Sequence, residues 1–138
     1  MTRIRVLIVD DSRAILGILV AALQDRGFEC LTANDGRQAL DVLQDNAVDL
    51  VLTDLWMDNL DGRGLIQEMK RHPELVNLPV VVLTTDTTPE SRQGLIQAGA
   101  LHVLNKPFST QRLITAISRA VDVGCNGRSS VYIKSESS

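Results

Sequence analysis

Residues 4–11, IRVLIVDD, form a short run of Ile, Val and Leu that ends on two acids, Asp10 and Asp11. Three more runs share the pattern: VDLVLTD (48–54) ends on Asp54, PVVVLTT (79–85) reaches Thr84, and ALHVLNKP (100–107) reaches Lys106. Continuous apolar runs of this length describe strands buried on both faces, as in a parallel sheet covered by helices. Parallel strands end on one shared edge, so three carboxylates, a hydroxyl and an ammonium converge there. Open α/β sheets hold their ligands at such an edge.

Between the runs the periodicity changes to that of helices, and the repeated switch predicts βα units. A helix is expected from Ser12 to Arg26, with Ile15, Leu16, Leu19 and Leu23 on one face and Gly27 as its stop. Phe28 to Ala33 reads as a weaker strand, and Gly36 to Asn46 as a helix carrying Ala39, Leu40 and Leu43 inward. Asp61 caps the next helix, which is expected to end near His72 and Pro73; Thr88 and Pro89 start another, closed by Gly99. Ser109 caps the last, whose inward stripe is Leu113, Ile114, Ile117, Ala120 and Val121. Right-handed crossovers allow few sheet orders; the one expected here, 2-1-3-4-5 in the parallel five-stranded sheet of a flavodoxin-like (βα)5 three-layer sandwich, is that of known doubly wound proteins and puts Asp10 and Asp11 beside Asp54.

Composition fits one compact unit: 138 residues, 44% hydrophobic and 22% charged. A net charge of −3 argues against a nucleic-acid surface. Residues 1–3 lead directly into the first strand without an apolar signal segment, and no stretch is long enough to span a membrane, so the expected compartment is the cytoplasm. Cys30 and Cys125 are read as reduced thiols, and no metal-ligand cysteine spacing is present. Residues 1–123 are expected to fold. The tail 124–138, GCNGRSSVYIKSESS, is expected to be polar and disordered, too short for an output domain. On that count the chain reads as a stand-alone unit, with the beginning of a linker as the alternative.

Three carboxylates held close together repel one another, and a cation relieves them. Mg²⁺ suits an all-oxygen site that keeps waters and takes a phosphate oxygen; the absence of His and Cys from the cluster argues against zinc or copper. An Asp there can also act as nucleophile toward phosphorus, with Lys106 and Thr84 meeting the charge on the transferred group.

Asp10-Asp11, a strand-terminal Asp54 followed by Met57 and Asp61-Gly62, Thr84, and Lys106-Pro107-Phe108 together resemble the receiver domain of two-component response regulators, over residues 4 to about 121. The resemblance is to the chemotaxis-regulator type. It implies Asp54 as phosphoacceptor, Asp11 as a direct Mg²⁺ ligand, Asp10 as one acting through water, and the backbone carbonyl of Trp56 as a further ligand. It also implies Lys106 on the phosphoryl group, a cis bond to Pro107, and a histidine kinase or phosphotransfer protein as donor. Taken singly, each residue has a plainer role: Asp11 as a helix cap, Asp54 as a turn residue, Thr84 as a strand end, Lys106 as a solvated charge. Their joint occurrence at four strand ends favours the site.

The departures bear on output. Val103 stands where many receivers carry the aromatic that reorients with the switch hydroxyl, and alternation turns the adjacent His102 to the opposite face. Transmission then rests on Thr84 and the loop after it. Asp58 replaces a frequent proline, removing a backbone restraint. Trp56 and Asp86 flank the route of hydrolytic water, and a shielding Trp56 predicts slow self-dephosphorylation. His72 and His102 are given no catalytic role, and Met69 is read as core filler.

The expected readout is the face formed by residues 88–121, through which a partner or a second copy binds; Arg112 and Arg119 are candidates for ion pairs across a homodimer. The function read from the sequence is a phosphoacceptor, not a turnover enzyme, acting only in its own phosphorylation and dephosphorylation. Two alternatives are a degenerate receiver that binds protein without phosphorylation, and an Asp-nucleophile, Mg²⁺-dependent phosphatase. The latter needs a second acid two residues after its nucleophile, where this chain has Trp56.

Overall fold

The computed structural model describes residues 3–86 and 88–128, with side chains described through Asp122. Five strands alternate with five helices: β1 Arg5–Val9, α1 Arg13–Asp25, β2 Glu29–Ala33, α2 Gly36–Asp45, β3 Leu50–Asp54, α3 Gly62–Met69, β4 Val80–Thr84, α4 Pro89–Ala98, β5 His102–Asn105 and α5 Thr110–Arg128. The strands form one parallel sheet in the order β2-β1-β3-β4-β5, as the sequence predicts. In register, Val9 pairs with Thr53, Asp54 with Leu83, and Thr84 with Asn105. The first, third, fourth and fifth strands therefore end level with one another.

The alternation of side chains divides the apolar residues into two cores. Val6 and Ile8 of β1, Leu50 and Leu52 of β3, and Val81 and Leu83 of β4 face Leu16, Leu19 and Leu23 of α1 and Leu113 and Ile117 of α5. Their neighbours Leu7, Val9, Val51, Val80, Val82 and Val103 face α2, α3 and α4, meeting Leu43, Leu65, Ile66 and Leu95. Met69 is buried in the second core. Each such Leu or Ile removed from water contributes roughly 2 kcal/mol, which is why runs apolar at every position are tolerated only between two helical layers.

Every helix begins on an oxygen-bearing side chain that accepts a main-chain N–H of its first turn: Ser12 from Ile15, Asp35 from Gln38, Asp61 from Gly64, Thr88 from Ser91 and Ser109 from Arg112. Two boundaries differ from expectation. α3 ends at Met69 and gives way to turns before His72, because Arg71 and His72 bond back to Glu68 and Met69 in tighter turns. α5 continues to Arg128, past the expected end near Val121 and through the first residues assigned to the tail. Glycine lowers helix propensity by about 1 kcal/mol without breaking the hydrogen-bond ladder, so Gly124 and Gly127 do not act as stops. The rest of the expected tail, 129–138, lies outside the described residues.

Candidate functional site

β1 delivers Asp10 and Asp11 to the C-terminal edge of the sheet. Asp10 is buried, 3% exposed, and one carboxylate oxygen accepts the Ser12 N–H at 2.9 Å. Its other oxygen is buried with no hydrogen-bond partner. Burial pushes the Asp10 carboxyl above its ordinary value, the Ser12 bond works against this, and the charge of Asp54 adds to it. Asp11 is exposed and Asp54 half-buried, yet one ligand oxygen from each of the three acids lies within 4.8 Å of the others. An orphaned carboxylate oxygen amid two further acids fits a hard divalent cation.

Lys106, at the end of β5, donates from Nζ to Asp54 Oδ1 at 2.8 Å. Its backbone N–H bonds to the Thr84 carbonyl at 2.8 Å, tying the two strand ends together, and its peptide bond to Pro107 is cis. Thr84 is buried, and its hydroxyl accepts the Asp86 N–H at 3.0 Å. The structure thus joins the three acids and Lys106 directly, with Thr84 linked to Lys106 through the main chain. Gly62 explains how closely α3 approaches: its N–H bonds to the Leu55 carbonyl at 2.9 Å, and a Cβ there would lie 2.6 Å from the Asp54 carbonyl oxygen.

Trp56, two residues after Asp54 in the chain, is 64% exposed. Asp86 is tied into the start of α4: its carboxylate accepts from the Thr88 N–H at 3.0 Å and the Thr88 hydroxyl at 2.8 Å, which holds it below the usual carboxylate range. Its carbonyl accepts from Asn105 Nδ2 at 3.0 Å. Val103 is buried and its carbonyl accepts the Arg92 guanidinium at 2.9 Å. His102 points to the other face, as expected, into a groove of about 430 Å³ lined by Leu101, Arg112, Thr115 and Arg119. Burial lowers its imidazole pKa, and Arg92, Arg119 and Arg112 lower it further. Cys30 is a free thiol whose pKa burial raises; the Cys125 side chain lies outside the described residues.

Sequence reasoning missed Arg92, Asn105 and Asn59. Asn59 has a left-handed backbone, φ 64°, and donates to Asp35 at 2.7 Å. Only the Asp35-Gly36 helix start carried a signal, since a cap can be read from sequence whereas the partner of an exposed amide cannot.

A family model for the response regulator receiver domain matches residues 6–118. The chain belongs to that family. Across 138 residues, and 99% of its length, this receiver is 32% identical to an NtrX-like response regulator of Rickettsia conorii, of which it covers 29%. It is 38% identical over 108 residues, 78% of the chain, to the sensor histidine kinase RcsC of Salmonella typhi, covering 11% of that protein. The chemotaxis protein CheY4 of Vibrio cholerae superposes with a TM-score of 0.82 at 34% identity, over 86% of this chain and 99% of that one. The receiver thus spans less than a third of the NtrX-like relative and nearly all of the chemotaxis protein. Receiver domains of this kind pair with histidine kinases and bind Mg²⁺ at an acidic pocket, and this chain has an acidic cluster of Asp10, Asp11 and Asp54. Among the described residues no helix is long and apolar enough to cross a membrane.

Proposed function

We propose that this receiver accepts a phosphoryl group on Asp54 from a phosphohistidine of a histidine kinase or phosphotransfer protein, in the cytoplasm, and thereby changes what binds the face formed by residues 88–121. The observation that carries the reading is the contact of Lys106 Nζ with Asp54 Oδ1 at 2.8 Å, beside the unpartnered buried oxygen of Asp10. An Asp54 carboxylate oxygen attacks phosphorus; the new O–P bond forms as the P–N bond breaks, and the departing imidazole takes up a proton. Lys106 meets the charge on the phosphoryl oxygens, and the Thr84 hydroxyl supplies a hydrogen bond to them. Asp10, Asp11, Asp54 and the Trp56 carbonyl would hold Mg²⁺, which when bound supplies positive charge against the acids and the incoming phosphate. The exposed indole of Trp56 shields the acyl phosphate from water and slows its loss.

Output follows from the loop after Thr84. Phosphorylation adds about −1.5 to −2 charge, and a Thr84 hydroxyl drawn toward it leaves the Asp86 N–H. Asp86 is bonded both to the Thr88 cap of α4 and to Asn105 before Lys106, so the displacement reaches α4 and β5 without an aromatic at 103. A partner, or a second copy of the chain, then selects one of two arrangements.

The test is incubation with a small phosphodonor and Mg²⁺, read by intact mass on wild type and Asp54→Asn. A phosphoryl adduct on wild type alone is expected. Its absence from wild type would sink phosphoacceptance and leave phosphorylation-independent binding as the function of this face.

A further inference from the structure

Residues 55–61, which run from the acceptor strand to α3, are fastened at both ends. Leu55 donates its N–H to the Leu83 carbonyl at 3.1 Å and accepts from Gly62 at 2.9 Å. At the other end, the Leu60 carbonyl accepts the Gly36 N–H at 2.9 Å, and Asn59 Nδ2 donates to Asp35 Oδ2 at 2.7 Å. Between these fastenings Trp56 and Asp58 are exposed, and Met57 packs part-buried against the second core. Asp58 leaves φ free where a proline would fix it. A further restraint comes from the start of α2.

The α2 side of the contact is built to hold still. The other carboxylate oxygen of Asp35 caps α2 by accepting the Gln38 N–H at 2.8 Å, and Gln38 returns a side-chain bond to the Asn34 N–H at 2.5 Å. A Cβ at Gly36 would lie 2.5 Å from the Leu60 carbonyl oxygen, so glycine alone allows this approach. Asn59 in turn adopts φ 64°, a conformation that asparagine tolerates better than most residues and that aims its amide at Asp35.

We propose that Asp35 and Asn59 form a clamp that sets the path of residues 55–59 and so positions the Trp56 main chain beside Asp10, Asp11 and Asp54 for Mg²⁺ binding. This rests on the reading of the acidic cluster as a Mg²⁺ site. Neither residue touches the ion; both are positioning residues, Asn59 within the βα unit that carries the acceptor and Asp35 from the unit before it.

The experiment is a double-mutant cycle on the full chain. Asn59→Gly keeps the left-handed backbone and removes the amide; Asp35→Ser keeps a capping oxygen and is too short to reach Asn59. Mg²⁺ affinity is titrated through the emission of Trp56, the chain's only tryptophan, and checked by calorimetry, with melting in Mg²⁺-free buffer showing that each variant is folded. Each single change is expected to weaken Mg²⁺ binding on the order of tenfold, the lower end for groups that orient a metal's ligands. The double variant should be no weaker than the worse single, because the two act as one unit. Affinities within about twofold of wild type, or losses that multiply in the double variant, would overturn the clamp. A wild-type protein that binds no Mg²⁺ would instead remove the reading of the cluster, and the clamp with it.

Discussion

The acidic edge and the α4–β5 side of this receiver are built on different principles. At the edge, reactive groups touch one another: Lys106 on Asp54, and Asp54 within ligand reach of Asp10 and Asp11. On the α4–β5 side the groups touch main chain: Arg92 on the Val103 carbonyl, Asn105 on the Asp86 carbonyl, Asp86 on the Thr88 amide. Direct contacts between charged side chains serve chemistry, since they place charge where a reacting group develops it. Contacts to main chain report where a loop or strand is, which suits the side proposed to carry the output.

The largest expected effect breaks the edge. Lys106→Ala should slow formation of the phosphoryl adduct by about 10²-fold, the usual cost of removing one preorganised charge donor, measured as the initial rate of mass gain with a small phosphodonor. A rate within a factor of about three would show that Lys106 does not meet the phosphoryl group. Next is Asp10→Asn. Relieving a buried, unpartnered carboxylate oxygen should stabilise the Mg²⁺-free protein by about 1 kcal/mol, a rise of about 3 °C in melting temperature, and should diminish the further rise that Mg²⁺ gives wild type. A lower melting temperature in the variant would show that the carboxylate is not frustrated.

The third change touches the chain just after Asp54. With the indole removed, Trp56→Ala should lose its phosphoryl group severalfold faster than wild type, followed by intact mass after the donor is withdrawn. An unchanged or slower decay removes the shielding role. The smallest effect belongs to the α4–β5 side. His102 has a lowered pKa, so the unfolded chain binds its proton more readily than the folded one. Stability should be fully present above the ordinary histidine range and fall as pH drops through it. The groups facing His102 are Arg92 from α4 and Arg112 and Arg119 from α5. His102→Gln should flatten that part of the melting temperature against pH. An identical slope in both proteins would mean that neither burial nor the arginines' field depresses the imidazole.

These two sides were not equally legible beforehand. The gathering of Asp10, Asp11, Asp54 and Lys106 at one sheet edge follows from apolar runs that end in polar residues, a pattern that parallel connectivity turns into a location, while the strand order rests on the family resemblance as well. The caps at Asp61, Thr88 and Ser109 were equally plain, because capping is a local matter of side-chain oxygen and main-chain N–H, whereas α1 is capped by Ser12 and not by Asp11. The end of α5 differs because Gly124 and Gly127 resemble a stop that the helix passes through. Arg92 and Asn59 were invisible for another reason. Each bonds a group remote from it in the chain, and an exposed polar residue carries no mark of which distant oxygen it will find. Val103 announced only that the usual aromatic is missing, not that its carbonyl is taken.

Every strand that ends at the site is followed by a helix that starts there, and this has an electrostatic result beyond the delivery of side chains. The N-terminal end of a helix carries roughly half a positive charge from its aligned peptide dipoles. α1 begins directly after Asp11, and α3 begins against the Asp54 carbonyl. The connectivity that crowds three acids together therefore also turns the positive ends of the helical layers toward them. The backbone supplies a standing field, independent of any side chain, that eases the crowding of the three acids and favours the arrival of an anion.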